Sequence, residues 1–145
     1  MNAQESLQIE MACTRLVNQF SLFNDARNFE ALSQLFAADG AFARPTDPEN
    51  FVSGRDGILA AFQARPHDRI TRHIISNIVI DVVDAEKARG VCYATLFMAP
   101  VDAEPAMFGV KANSSQLIGE FYMDFVQTGD GWKIARQTGK IILAT

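Results

Sequence analysis

The run from Thr71 to Val83 (Thr-Arg-His-Ile-Ile-Ser-Asn-Ile-Val-Ile-Asp-Val-Val) constrains this chain more than any other segment. β-Branched residues dominate it, neither Gly nor Pro interrupts it, and it is long for a strand. Strict alternation puts His73, Ile75, Asn77, Val79, Asp81 and Val83 on one face. Arg72, Ile74, Ser76, Ile78, Ile80 and Val82 fall on the other. Both faces are substantially apolar, so the strand is expected in the middle of a sheet, covered on both sides. One face also sets His73 and Asn77 among aliphatic residues. They are either a satisfied core pair or the floor of a pocket.

The rest of the chain is compatible with one domain over residues 1–145, long enough for a core without staples. Its net charge of −4 argues against a nucleic-acid partner, which calls for a basic face. Cys13 and Cys92 sit inside apolar periodic segments without metal-ligand spacing and are expected to be reduced core residues. The two histidines lie far from them in sequence, so no structural zinc site is expected. No apolar run approaches the length of a membrane span, and residues 1–10 lack a signal-peptide core, so a cytoplasmic location is the expectation. Phenylalanine is unusual at 11 residues, against one Trp and two Tyr. That much ring without a polar handle suits an apolar cavity as well as a plain core.

In chain order, Ile9, Cys13, Leu16, Val17, Phe20 and Phe23 mark a helix over about 3–24, with Asn2 and Glu5 as a capping box. Asn28 is expected to cap a second, shorter helix, and Ser53 a third that runs to about Ala64 before Pro66. Residues 41–44 read as a short strand and Pro45–Asn50 as loop, with Asp47-Pro48 a possible lid. After the long strand come three more, at about 88–99, 116–128 and 132–143, the last two joined at Gly129-Asp130-Gly131. Helices first and strands last predict an α+β fold, with helices packed on one face of an antiparallel sheet.

The wording of several segments matches that order. Asn24-Asp25-Ala26-Arg27-Asn28 with Leu35-Phe36-Ala37-Ala38-Asp39-Gly40-Ala41, the third-helix opening Gly54-Arg55-Asp56-Gly57, the segment His73-Ile74-Ile75-Ser76-Asn77, and Gly131-Trp132-Lys133-Ile134 together resemble the SnoaL-like family of the nuclear transport factor 2-like superfamily. The resemblance covers nearly the whole chain and implies the scytalone dehydratase and ketosteroid isomerase fold, a cone-shaped, curved antiparallel sheet wrapped around three N-terminal helices. In the dehydratase-like branch an Asp after the first helix and a His on the long strand face one cavity, and the matching positions here are Asp25 and His73. The departures are specific. Asn24 stands where scytalone dehydratase has Tyr, the strand around 93–99 offers no second His, and its fourth-strand Ser and Asn fall near Gly119 and Phe121. The oxyanion-hole Tyr and the Asp base of ketosteroid isomerase map near Phe20 and Arg44. Neither specific activity transfers.

Such an Asp–His pair makes chemical sense. Imidazole has a reference pKa near ~6.5 and moves protons at neutral pH, while a carboxylate beside it fixes the tautomer. The bland alternative is an Asp25 that caps the next helical turn and a satisfied core histidine. The residues alone favour the bland alternative; with the resemblance, the expectation is an apolar pocket lined by Phe20, Phe23, Phe42, Phe62, Phe97 and Phe121, with Asp25 and His73 as catalytic groups and Asn77 and Tyr93 as substrate contacts. The run Arg65, His67, Arg69, Arg72 is either a solvated loop or a greeting for an anionic substrate at the mouth. Expected partners are a small apolar molecule and a second copy of the chain. The homodimer would form through an apolar convex face carrying Ile74, Ile78, Ile80 and Val126, where Glu120, Tyr122 and Asp124 also lie. No metal or organic cofactor is implied. The expected function is a small lyase or isomerase acting on an apolar cyclic carbonyl compound. The alternatives are an apolar-ligand-binding module, or a small subunit of an oxygenase-type assembly, which shares the His-x-x-x-Asn wording.

Overall fold

The computed structural model describes residues 1–145. Helix α1 (Ala3–Asp25) opens with the expected capping box, the Asn2 side chain accepting from the Glu5 N–H and Glu5 reaching back to the Asn2 N–H. Its buried stripe is Ile9, Cys13, Leu16, Val17 and Phe20. Helix α2 (Phe29–Gln34) starts from Asn28, whose side chain accepts from the Ala31 N–H. Strands β1 (Phe36–Arg44) and β2 (Asp47–Ser53) follow, so the segment expected to be loop is largely a strand. The Asp47-Pro48-Glu49-Asn50 composition misleads here because β2 is an edge strand, where Pro and charge are tolerated. Helix α3 (Arg55–Gln63) begins at Gly54 with φ 83° and without a side-chain cap, rather than at Ser53.

The remaining strands are β3 (Arg69–Val82), β4 (Lys87–Pro100), β5 (Leu117–Thr128) and β6 (Gly131–Ala144). All six form one mixed sheet in the order β2-β1-β6-β5-β4-β3, antiparallel except for the parallel β1–β6 pair, and not closed into a barrel. With the N-terminal helices against it this is the expected α+β cone. Helix α1 packs on β3, β4 and β6, and α3 packs on β1 and β2. No helix is long and apolar enough to cross a membrane.

Two expectations about the long strand are overturned together. β3 lies at the edge of the sheet, not in its middle. Its register against β4 runs in step from Arg69↔Pro100 to Ser76↔Tyr93 and resumes at Val79↔Val91, which leaves one extra residue on β3. That is a β-bulge, and Asn77 sits in it with φ 56°, a left-handed conformation that Asn adopts more readily than most residues. Before the bulge Thr71, His73 and Ile75 face inward. After it the inward set is Ile78, Ile80 and Val82, which pack against the core, while Asn77 and Val79 are exposed. Both alternation sets are apolar because each serves the core over half the strand. Ile78 and Ile80 therefore do not belong to the convex face. That face instead exposes Ile74, Val79, Tyr93 and Phe97.

The inner face of β4 shows how closely α1 and the sheet approach. It carries Ala88, Gly90, Cys92 and Ala94, all small. A Cβ added at Gly90 would lie 2.8 Å from Ile80 Cδ1 and 2.9 Å from Phe125 Cε2, so the absent side chain provides the space these two occupy. Cys13 and Cys92 are fully buried and free, with burial pushing the thiols up to about 12 and about 11.

Candidate active site

Helix α1 ends by delivering Asp25 to the open edge of β3. A carboxylate at the negative end of a helix is poorly placed for the helix dipole, so it needs other partners. It has three. The Thr71 hydroxyl donates to Oδ1 at 2.9 Å, the His73 backbone N–H to Oδ2 at 2.8 Å, and His73 Nδ1 lies 2.6 Å from Oδ1. Asp25 thus caps the sheet edge and holds the imidazole at once, and both side chains are largely buried. Burial pushes the Asp25 carboxyl up. The His73 side-chain bond, its backbone N–H, its charge and the Thr71 hydroxyl outweigh that and leave the carboxyl below its ordinary 3.8. Because an ionised carboxylate only accepts, the neutral ring carries its proton on Nδ1. Nε2 makes no hydrogen bond within the protein and is left with its lone pair.

His73 and Asp25 line a cavity of about 370 Å³, a size that suits a small organic ligand. Phe20, Phe42, Phe121, Leu96 and Leu117 make its apolar wall, and Asn24 and Thr71 add polar atoms beside Asp25. A recess of about 40 Å³ between His73, Ala94, Gly119 and Phe121 extends it. Arg27, Arg44, Arg65 and Arg69 also belong to the lining, with Asp68 the one carboxylate besides Asp25. No cluster of three or more His, Cys, Asp or Glu side chains forms a metal site.

The expected lining residues divide. Phe20, Phe42 and Phe121 face the cavity, and Phe29 joins them unforeseen. Phe62 is fully buried behind them, its ring centroid 5.1 Å from Phe42 and 6.1 Å from Phe20. Phe23 packs on the core but opens onto a separate groove along the outside of α1. Tyr93 and Phe97 are on the convex face, 46% and 40% exposed, because β4 turns its small residues and Leu96 inward. The row of small residues facing α1 is the signal that identifies the inner face of that strand. Asn77 is outside the cavity because of its bulge. Tyr122 does lie on the convex side as expected, its hydroxyl donating to Glu120.

A family model described as a SnoaL-like domain matches residues 5–138. No curated protein sequence is similar enough to match the chain. Among solved structures, a protein designated a scytalone dehydratase from Novosphingobium aromaticivorans superposes with a TM-score of 0.81 at 21% identity, over 99% of this chain and 91% of that one. The hexachlorocyclohexane dehydrochlorinase LinA-type3 from Novosphingobium barchaimii gives 0.81 at 16% identity, over 99% and 93%. ActVI-ORFA from Streptomyces coelicolor gives 0.70 at 15% identity, over 94% and 97%.

Proposed function

This chain belongs to the SnoaL-like family, and from that premise we propose that it is a small-molecule lyase or isomerase acting by proton transfer on an apolar cyclic carbonyl compound. The observation that carries the reading is the Asp25–His73 contact at the wall of an apolar cavity. The neutral ring presents Nε2 as a base. It takes the proton from the carbon α to the carbonyl, and the C–H electron pair passes into an enolate. Asp25, already ionised, stabilises the imidazolium through Nδ1–H and does not itself take the proton. Return of the proton from Nε2 to another carbon of the enolate completes an isomerisation. Alternatively the enolate electrons form a C=C bond as a β-hydroxyl leaves with the Nε2 proton as water, which is a dehydration. The structural neighbours named as a dehydratase and a dehydrochlorinase support the second course. The reading includes a homodimer through the convex face of the sheet.

The test is deuterium uptake from D2O at the α-carbon of cyclic ketones such as 2-tetralone, followed by NMR. His73→Gln is expected to slow exchange by about 100-fold or more, with the melting temperature nearly unchanged. Equal exchange by variant and wild type, no exchange above background with any ketone, or a large stability loss in the variant would each overturn the assignment.

A non-catalytic module for an apolar ligand is the second reading, favoured by the wall of the recess. A Cβ at Gly119 would lie 2.7 Å from the Lys140 carbonyl oxygen, so the backbone there leaves no room for a dehydratase-type side chain. In that case His73→Gln leaves the affinity for an apolar dye unchanged.

A further inference from the structure

The cavity mouth carries a charge that the proton-transfer reading does not use. Arg27, Arg44, Arg65 and Arg69 all belong to the lining, in a chain whose net charge is −4. The molecule forms two ion pairs, His73–Asp25 and Lys111–Glu104, so none of the four arginines is paired with a carboxylate. Of the two aspartates in the lining, Asp25 is committed to His73 and Thr71. Arg27 has a structural duty: its guanidinium donates to the carbonyl oxygens of Arg65 at 3.1 Å and Pro66 at 3.4 Å, which holds the turn after α3 against the end of α1. The Arg44 guanidinium makes no hydrogen bond, and that of Arg69 reaches only the Met98 sulfur at 3.5 Å.

Arg65 is the informative member. Its guanidinium lies 4.0 Å above the centre of the Phe62 ring, and its Nε is buried without a hydrogen-bond partner. Stacking fixes the plane of the guanidinium, and the side chain belongs to the cavity lining. A buried donor without an acceptor is costly, and evolution seldom leaves one unless something fills it. Burial, with Arg44, Arg69 and Arg27 close by, holds the Arg65 guanidinium down to about 10, so the mouth bears repelling positive charges that an incoming anion would relieve.

We infer that the cavity takes an anionic ligand, an apolar ring system bearing a carboxylate, with the ring on the Phe20, Phe42 and Phe121 wall and the carboxylate on Arg65, assisted by Arg44 and Arg69. The planar guanidinium fork matches a carboxylate in two parallel N–H···O bonds, and the apolar wall excludes a ligand that is polar throughout. The inference rests on the reading of this cavity as the substrate site and narrows that substrate to a cyclic keto- or hydroxy-acid.

Calorimetric titration of the full chain with 2-naphthoate, 2-naphthamide and 2-naphthyl phosphate separates the possibilities. The acid is expected to bind at least about tenfold more tightly than the isosteric amide, a preference that weakens as salt is raised. Arg65→Gln should abolish the preference by weakening the acid alone. Arg44→Gln and Arg69→Gln, at exposed positions, should each reduce it and keep the test valid if Arg65→Gln does not fold. Equal binding of acid and amide, absence of binding by the acid at millimolar concentration, a preference unaltered in all three variants, or tighter binding of the phosphate would overturn the inference. Repeating the titration in His73→Gln keeps the two ideas apart. An acid preference retained there, with no ketone exchanged above background by the wild type, would remove the proton-transfer reading alone, and wild-type turnover of neutral ketones with no acid preference would remove this inference alone.

Discussion

The two halves of β3 are chemically different although they read as one strand. From Thr71 to Ile75 the inward side chains are Thr71, His73 and Ile75, and the first two are held by Asp25 from the end of α1. From Ile78 to Val82 the inward side chains are all aliphatic and meet the core. The first half is anchored by directional, charge-assisted bonds, the second by burial of hydrocarbon. Asn77 lies between them in the bulge and transfers the inward role from one alternation set to the other. A strand can therefore carry a polar site and a core contact without mixing them, provided one residue is added at the junction.

The pair Ile74 and Ile80 tests that division most strongly, because strict alternation puts both on one face. Ile80 packs over Gly90, whereas Ile74 is 54% exposed. Ile80→Ala should cost about 2 kcal/mol of unfolding free energy in a denaturant titration, and Ile74→Ala close to nothing within the monomer. Equal losses would mean that the strand does not switch faces. The proposed dimer adds an effect at Ile74 only. Light scattering should show a dimer for the wild type and a monomer for Ile74→Lys, and a monomeric wild type would remove the dimer.

A smaller effect is expected at the junction itself. β-Propensity ranks Val far above Asn, so an ordinary strand position would gain from Asn77→Val. At φ 56° the order inverts, because a β-branched side chain clashes in the left-handed region. Asn77→Val should cost about 1–2 kcal/mol and Asn77→Gly almost nothing, both read from denaturant midpoints. A stabilised Asn77→Val would mean that no bulge exists.

These residues also show what was readable in advance. The α1 capping box, the helical stripe and the α+β order follow from local chemistry and from apolar period, and the structure has them. The Asp25–His73 contact spans 48 positions, and neither period nor propensity brings such residues together. Only the resemblance of the segments around them did so. The cavity wall departs from expectation on β4 and after Ser76 for one reason: alternation is broken at the bulge, and β4 turns its smaller side chains inward. The signals were present: Asn in a β-branched run is a poor strand former but accepts left-handed backbone, and Ala88, Gly90, Cys92 and Ala94 mark the face that a helix approaches. The edge position of β3 could not be read this way, because a bulge makes both alternation sets apolar just as burial on two sides would.

Acid should separate the two halves by a still smaller amount. Asp25 is held below its ordinary 3.8 in the folded protein, so the unfolded chain binds that proton more readily. The stabilisation is therefore complete above about pH 4 and is lost as pH falls through the lowered folded value. Neutralising the carboxylate weakens its bonds to the Thr71 hydroxyl, the His73 N–H and the ring. The aliphatic contacts of Ile78, Ile80 and Val82 contain nothing that titrates in this range. The His73 amide, which donates directly to Asp25, should lose hydrogen-exchange protection on acidification before the amides of residues 78–82 do. In Asp25→Asn the His73 amide should already be poorly protected at neutral pH and show no further acid step. If wild type and variant instead lost protection along parallel curves, or if both halves opened together at every pH, Asp25 would not be what holds the first half in place.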